Sequence, residues 1–150
     1  MRYVAADKTA REMELEEIEL FLSKPLILRL AMIDDRDNNS PLVHPLWYYY
    51  ENEKFFLSTE RDGRKANSLR KDNRIYFLVD TEKRPPAGVR GKGIAKVIDD
   101  AEYATRVTIR NINRYIGSLD GKVAQDLIEI AKSSCVIEIS PVYIASWNYQ

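Results

Sequence analysis

The chain is short of the residues that most often announce chemistry. Of its 150 residues only one is histidine, His44, and only one is cysteine, Cys135. A lone histidine excludes any multi-histidine metal site. A lone cysteine excludes an internal disulfide framework and suits a reducing compartment. Net charge is missing too: 23 basic residues balance 23 acidic ones, so no global field draws the chain to nucleic acid or to an anionic membrane. Any anion site must therefore be local. No apolar run approaches the roughly 20 residues that cross a bilayer, and acidic residues stand near the N-terminus where a secretory signal needs an apolar core. Repeats, low-complexity tracts and linkers are likewise absent. The expectation is one soluble, cytoplasmic domain over residues 1–150, with neither nucleic acid nor membrane as partner.

What is present is an alternation of short strands and a few helices. Leu15, Ile18, Phe21 and Leu22 keep helical spacing while Glu14, Glu16, Glu17 and Glu19 supply a wet face, so a helix is predicted from Arg11 to Ser23, stopped by Pro25. Leu26–Ile33 and the aromatic-rich run Leu42–Tyr50 flank a turn-forming stretch, Asp34 to Pro41, which suggests a hairpin. Lys54–Thr59 continues it as a third strand in meander order. Strands at Arg74–Asp80 and Val89–Ile98 follow, then helices from Asp100 to about Gly117 and from Asp120 to about Lys132. A last strand, Val136–Ser140, restarts after Pro141. The fold class expected is α+β, mainly β: about six mostly antiparallel strands forming a small split barrel, with an N-terminal helix and peripheral helices. In the fifth strand Val89, Gly91, Gly93, Ala95 and Val97 share one almost bulk-free face. Either a ligand approaches closely there or a bulky neighbouring strand packs against it.

One segment carries a phosphate-binding pattern. Lys54 to Arg70 reads as a strand, a tight turn at Gly63 and the first turn of a helix that begins with Arg64 and Lys65. Backbone N–H groups and the positive end of the helix dipole favour an anion at such a point, and the two cations add charge-assisted hydrogen bonds. Read alone, the same residues more often describe an ordinary solvated face.

The order of segments resembles the pyridoxamine-phosphate-oxidase-like family of split-barrel flavoproteins. The resemblance rests on Glu19-Leu20-Phe21-Leu22, Pro41 to Tyr48, Phe56-Leu57-Ser58-Thr59, Arg64 to Arg74 and Gly88 to Gly93. It implies that Arg64 and Lys65 hold the phosphate of flavin mononucleotide (FMN), with Ser58, Thr59 and Gly63 beside them. It implies that His44, Pro45, Leu46 and Trp47 run along the isoalloxazine edge, and that a homodimer holds each flavin between subunits, a residue near Trp147 completing the pocket. The chemistry implied is hydride transfer between a nicotinamide donor or organic substrate and the flavin. Two features depart from the family pattern. Glu60 and Asp62 flank the phosphate turn, where a carboxylate would repel the ester unless it points to solvent. Gly88 replaces a polar ring-contacting residue, and the full pyridoxal-phosphate grip is missing, so vitamin B6 oxidation is not implied.

Three function classes fit these observations: an FMN-dependent oxidoreductase, a deazaflavin-dependent reductase on the same barrel, and a non-enzymatic ligand-binding module. Other candidate residues have plainer readings. The stretch from Asp35 to Ser40 lacks the glycine and the glutamate of a calcium loop. Cys135 reads as a small buried hydrophobe, and Arg106, Arg110 and Arg114 as a solvated helix face. Trp47 to Tyr50 alternate between faces, so at most half of them could line a pocket. His44 could meet the flavin or sit hydrogen-bonded at a barrel rim.

Overall fold

A computed structural model describes residues 1–149. In chain order the elements are β1 (Arg2–Ala5), α1 (Leu15–Ser23), β2 (Leu28–Asp34), β3 (Ser40–Leu46), β4 (Tyr49–Glu51), β5 (Lys54–Glu60), α2 (Arg64–Lys71), β6 (Arg74–Asp80), β7 (Ala87–Ile98), α3 (Ala101–Tyr115), α4 (Lys122–Ala131) and β8 (Ser134–Asn148). Local chemistry sets the punctuation. A capping box between Glu14 and Glu17 opens α1, and the Asp100 carboxylate accepts from the Tyr103 amide to open α3. Asn52 and Glu53 supply, with positive φ, the left-handed pair that the tight two-residue hairpin between β4 and β5 requires, and Asn38 and Asn39 take the same conformation in the longer loop between β2 and β3.

The strands form one sheet in the order β3-β2-β6-β7-β8-β5-β4, with β1 added in parallel to the outer half of β8. All other pairings are antiparallel. The expected α+β, mainly β split barrel is therefore present, with three differences. The described residues hold eight strands rather than six, because β1 lies ahead of the first element expected and because the run Leu42–Tyr50 breaks after Leu46 into β3 and β4. The hairpin is not a three-strand meander: β3 pairs only β2, whereas β5 pairs β4 and β8. The sheet also stops short of hydrogen-bonded closure, since β3 and β4 end it without pairing each other.

Strand β8 runs unbroken past Pro141. Opposite it the β7 register shifts between Lys92 and Gly93, and this bulge accommodates a residue that has no N–H to donate. The small face of β7 is explained by packing against its own neighbours. A Cβ at Gly91 would run into the Tyr143 carbonyl oxygen, and one at Gly93 would lie 2.9 Å from the Ser140 carbonyl oxygen. Close approach to β8, not to a ligand, requires these glycines.

The barrel interior is filled by Leu28, Leu30, Phe55, Leu57, Phe77, Ile137, Ile139 and Ile144, with Leu22 and Ile18 of α1 closing one end. Cys135 is buried there, where burial pushes its thiol pKa up. The break after Leu46 puts both Tyr48 and Tyr49 inside, against the expected alternation: Tyr48 in the main core, Tyr49 in a second cluster under α3. Helix α3 is tied down by the arginines expected to be a solvated face. Arg114 donates to the carbonyls of Tyr48, Ser23 and Lys24, Arg110 pairs with Glu51 and covers the Tyr49 ring at 3.9 Å, and Arg106 lies over Tyr103. Among the described residues no helix is long and apolar enough to cross a membrane.

Candidate functional site

The gap in the barrel is where the chemistry-bearing residues meet. His44 sits on β3, at one end of the sheet order, and Ser58, Thr59 and Glu60 sit on β5 near the other. The rolled sheet brings them to one cleft of ≈ 350 Å³, whose floor is the N-terminus of α2 with Gly63, Arg64 and Lys65. Thr108 of α3 and Leu127 and Ile130 of α4 form its far wall. Six of the nine residues expected from sequence thus converge: His44, Ser58, Thr59, Gly63, Arg64 and Lys65. Leu46 and Trp47 line a smaller adjoining compartment, and Pro45 is exposed and lines neither.

The electrostatics of α2 are unusual for a helix start. Gly63 caps it without any side-chain hydrogen bond, and its first turn holds no acid but two cations. Cations at the positive end of a helix dipole are unfavourable unless an anion faces them. Arg64 has one: it donates to the carboxylate of Asp34, a residue only 2 % exposed that also accepts from the Arg36 amide at 3.1 Å. Lys65 has no ion-pair partner among the described residues. The acidic residues of the turn do not block the corner. Asp62 points to solvent, 3.9 Å from Arg61, and Glu60 lines the cleft without pairing Arg64 or Lys65. Asp35, next to Asp34, pairs instead with Lys71 at 2.6 Å and reaches Ser68.

His44 completes the picture. Its Nε2 is buried and has no hydrogen-bond partner among the described residues, a costly state for a polar atom. Burial, then the charges of Lys65 and Arg64, push its pKa below the ordinary histidine value. At neutral pH it is a neutral imidazole facing two cations, with one ring nitrogen unused. Across the cleft Ser58 Oγ and Thr108 Oγ1 share a 2.7 Å hydrogen bond. The arrangement presents cationic, N–H and hydroxyl groups to one small volume, which suits a phosphate ester with a polar chain attached.

Asp34, Thr108, Leu127 and Ile130 are contributors the sequence concealed. Asp34 stands in a turn-rich acidic run, and the α3 and α4 residues carry only helical spacing, which says that a residue faces inward but not what it faces.

Comparison with known proteins gives the same outline. A family model described as pyridoxamine 5'-phosphate oxidase matches residues 15–148. No protein with curated annotation matches the sequence. Among solved structures, a conserved hypothetical protein from Mycobacterium tuberculosis superposes with a TM-score of 0.80 at 23% identity, covering 96% of this chain and 89% of that one. An F420 reductase superposes at 0.70 and 17% identity, covering 85% and 94%. A FAD-binding protein from Mesorhizobium loti superposes at 0.66 and 17% identity, covering 93% and 97%.

Proposed function

Since the chain belongs to the pyridoxamine 5'-phosphate oxidase family, we propose that it binds FMN in the barrel gap, with the phosphate at the N-terminus of α2, and acts as an oxidoreductase. The observation that carries this reading is the start of α2, which has no side-chain cap and where, among the described residues, Lys65 has no ion-pair partner and His44 Nε2 in the same cleft has no hydrogen-bond partner. A phosphate ester supplies what both need. Arg64, held by Asp34, keeps its remaining N–H groups for the same ester, and Ser58, Thr59 and the Gly63 turn border it.

The cleft holds the phosphate and the chain next to it; the ring lies outside, along β3. That strand has only β2 beside it, so its other edge offers backbone groups around His44, Leu46 and Trp47 for hydrogen bonds to a flavin edge. Bound there, the flavin supplies two-electron hydride chemistry with a nicotinamide or organic substrate. The protein's part is to bind, orient and exclude water, which explains how a chain with one histidine and one cysteine serves as an enzyme. A second subunit covers the ring. The outer face of the sheet carries exposed Val43, Tyr76 and Ile94, apolar side chains that a homodimer would bury. The structural likeness to an F420 reductase favours a second reading, a deazaflavin cofactor in the same cleft.

The absorbance spectrum of the purified protein tests the proposal. A flavin spectrum, or its appearance on adding FMN, is expected, and Arg64→Ala with Lys65→Ala should release the cofactor. Protein that takes up no FMN, or a double variant that retains it fully, overturns the assignment; uptake of a deazaflavin alone selects the second reading.

A further inference from the structure

The cleft continues inward into a compartment of ≈ 120 Å³ that the phosphate reading does not use. The two volumes share Ser58, Thr108 and Leu127, and the inner one adds Leu46, Trp47, Asn111 and Ile112. Asn111 is only 4% exposed, yet its Oδ1 has no hydrogen-bond partner among the described residues. The orientation of the amide is set from the other side. Its Nδ2 faces the Phe56 carbonyl oxygen at 3.5 Å, and reversing the amide would bring two acceptors together there. A buried acceptor left empty costs about 1–3 kcal/mol, so a side chain held in this state points to a donor that arrives with a ligand.

The polar equipment of the compartment defines that ligand. Asn111 offers an acceptor. In the Ser58–Thr108 pair one hydroxyl donates to the other, which leaves the second hydroxyl's proton free to donate outward. One acceptor and one donor, in a compartment that shares Ser58, Thr108 and Leu127 with the phosphate cleft and is walled by Leu46, Trp47, Ile112 and Leu127, are complementary to an alcohol. The volume admits a short chain and excludes a fused three-ring system.

We infer that Asn111, with the Ser58–Thr108 hydroxyl pair, is a specificity determinant that reads hydroxyl groups on the chain joining the phosphate to the rest of the ligand. The site therefore selects phosphate esters of polyols over phosphate esters of plain alkyl chains. This deepens the FMN reading and rests on it. Selection of this kind is strong because an analogue without the hydroxyl leaves the buried acceptor unpaired.

The test compares two ligands by equilibrium titration of flavin fluorescence: FMN, and a flavin whose side chain is an unhydroxylated pentyl phosphate. The protein should prefer FMN by about tenfold or more, the effect of one or two hydrogen bonds and an unpaired acceptor. Asn111→Leu should remove most of that preference by weakening FMN while leaving the pentyl analogue unchanged. Thr108→Val, which removes one hydroxyl at nearly constant volume, should reduce the preference as well and keeps the question answerable if Asn111→Leu does not fold. Equal affinities for the two ligands, or a preference that survives in the folded variants, overturns the role of Asn111 while the phosphate site stands. If neither ligand binds the unaltered protein, the FMN reading and the inference fall together.

Discussion

At the proposed phosphate site, Arg64 and Asp34 are the pair in which a single buried carboxylate would serve the binding of an anion. Asp34 is nearly inaccessible and its partner guanidinium is half exposed, so the carboxylate aims Arg64, and on the FMN proposal the cation shields an incoming phosphate from it. Removing the cation alone does double harm: a contact is lost, and a buried negative charge faces the ester. Arg64→Ala should therefore weaken FMN binding more than Lys65→Ala does. Adding Asp34→Asn to Arg64→Ala should restore part of the loss, about 1 kcal/mol, because the uncompensated charge is gone; titration of the three variants measures this. His44 makes a second prediction. Its pKa is lower in the folded protein than in the unfolded chain, so the unfolded chain binds the extra proton first as pH falls. The stability this residue contributes is present above the unfolded pKa and is lost on acidification, with slope set by the difference in bound protons. Melting temperatures followed from about pH 7.5 to about pH 5.5 should fall less steeply in His44→Gln than in the unaltered protein.

At the level of elements, β7 and β8 are joined along twelve paired positions, and their closeness depends on side chains that are missing. Gly91→Ala would push a methyl group against the Tyr143 carbonyl and the Phe77 ring, neither free to retreat within a filled barrel. Overpacking of this kind should cost about 2–3 kcal/mol, read from denaturant midpoints. The same pair of strands shows what could be read in advance. The small face of β7 was visible in the spacing of Gly91, Gly93 and Ala95, but two explanations fitted it equally, because spacing does not say which strand lies alongside. The strand–turn–helix of Ser58 to Arg70 was legible because its signal is local: apolar alternation, a glycine turn, two cations opening a helix. The pairing of β5 with β8 was not, since those strands are some eighty residues apart and nothing near Phe55 names Ile139 as its partner. For the same reason Asn111 and Thr108 read only as positions on a helix until β5 was seen to lie beneath them. Pro141 misled in the opposite direction, suggesting an interruption that the bulge at Lys92 and Gly93 absorbs.

On the scale of the whole molecule, the sheet leaves an apolar outer surface around Val43, Tyr76 and Ile94, with a groove between Pro41 and Lys92. If this surface meets its copy, Ile94→Glu should convert the dimer to a monomer in size-exclusion chromatography with mass detection, and FMN retention should fall with it, because each ring loses its second wall. The site itself depends on the same large-scale geometry, since His44 and Ser58 face each other only when five intervening pairings have rolled the sheet. That dependence passes through β8, which joins the group β3-β2-β6-β7 on one side to β5-β4 and β1 on the other. The ribosome delivers this strand after every partner it must bridge. Until Ser134 and the residues beyond it have left the exit tunnel, the nascent polypeptide lacks the strand that joins β7 to β5 and that β1 pairs with, and the cleft proposed to cradle the cofactor has not formed.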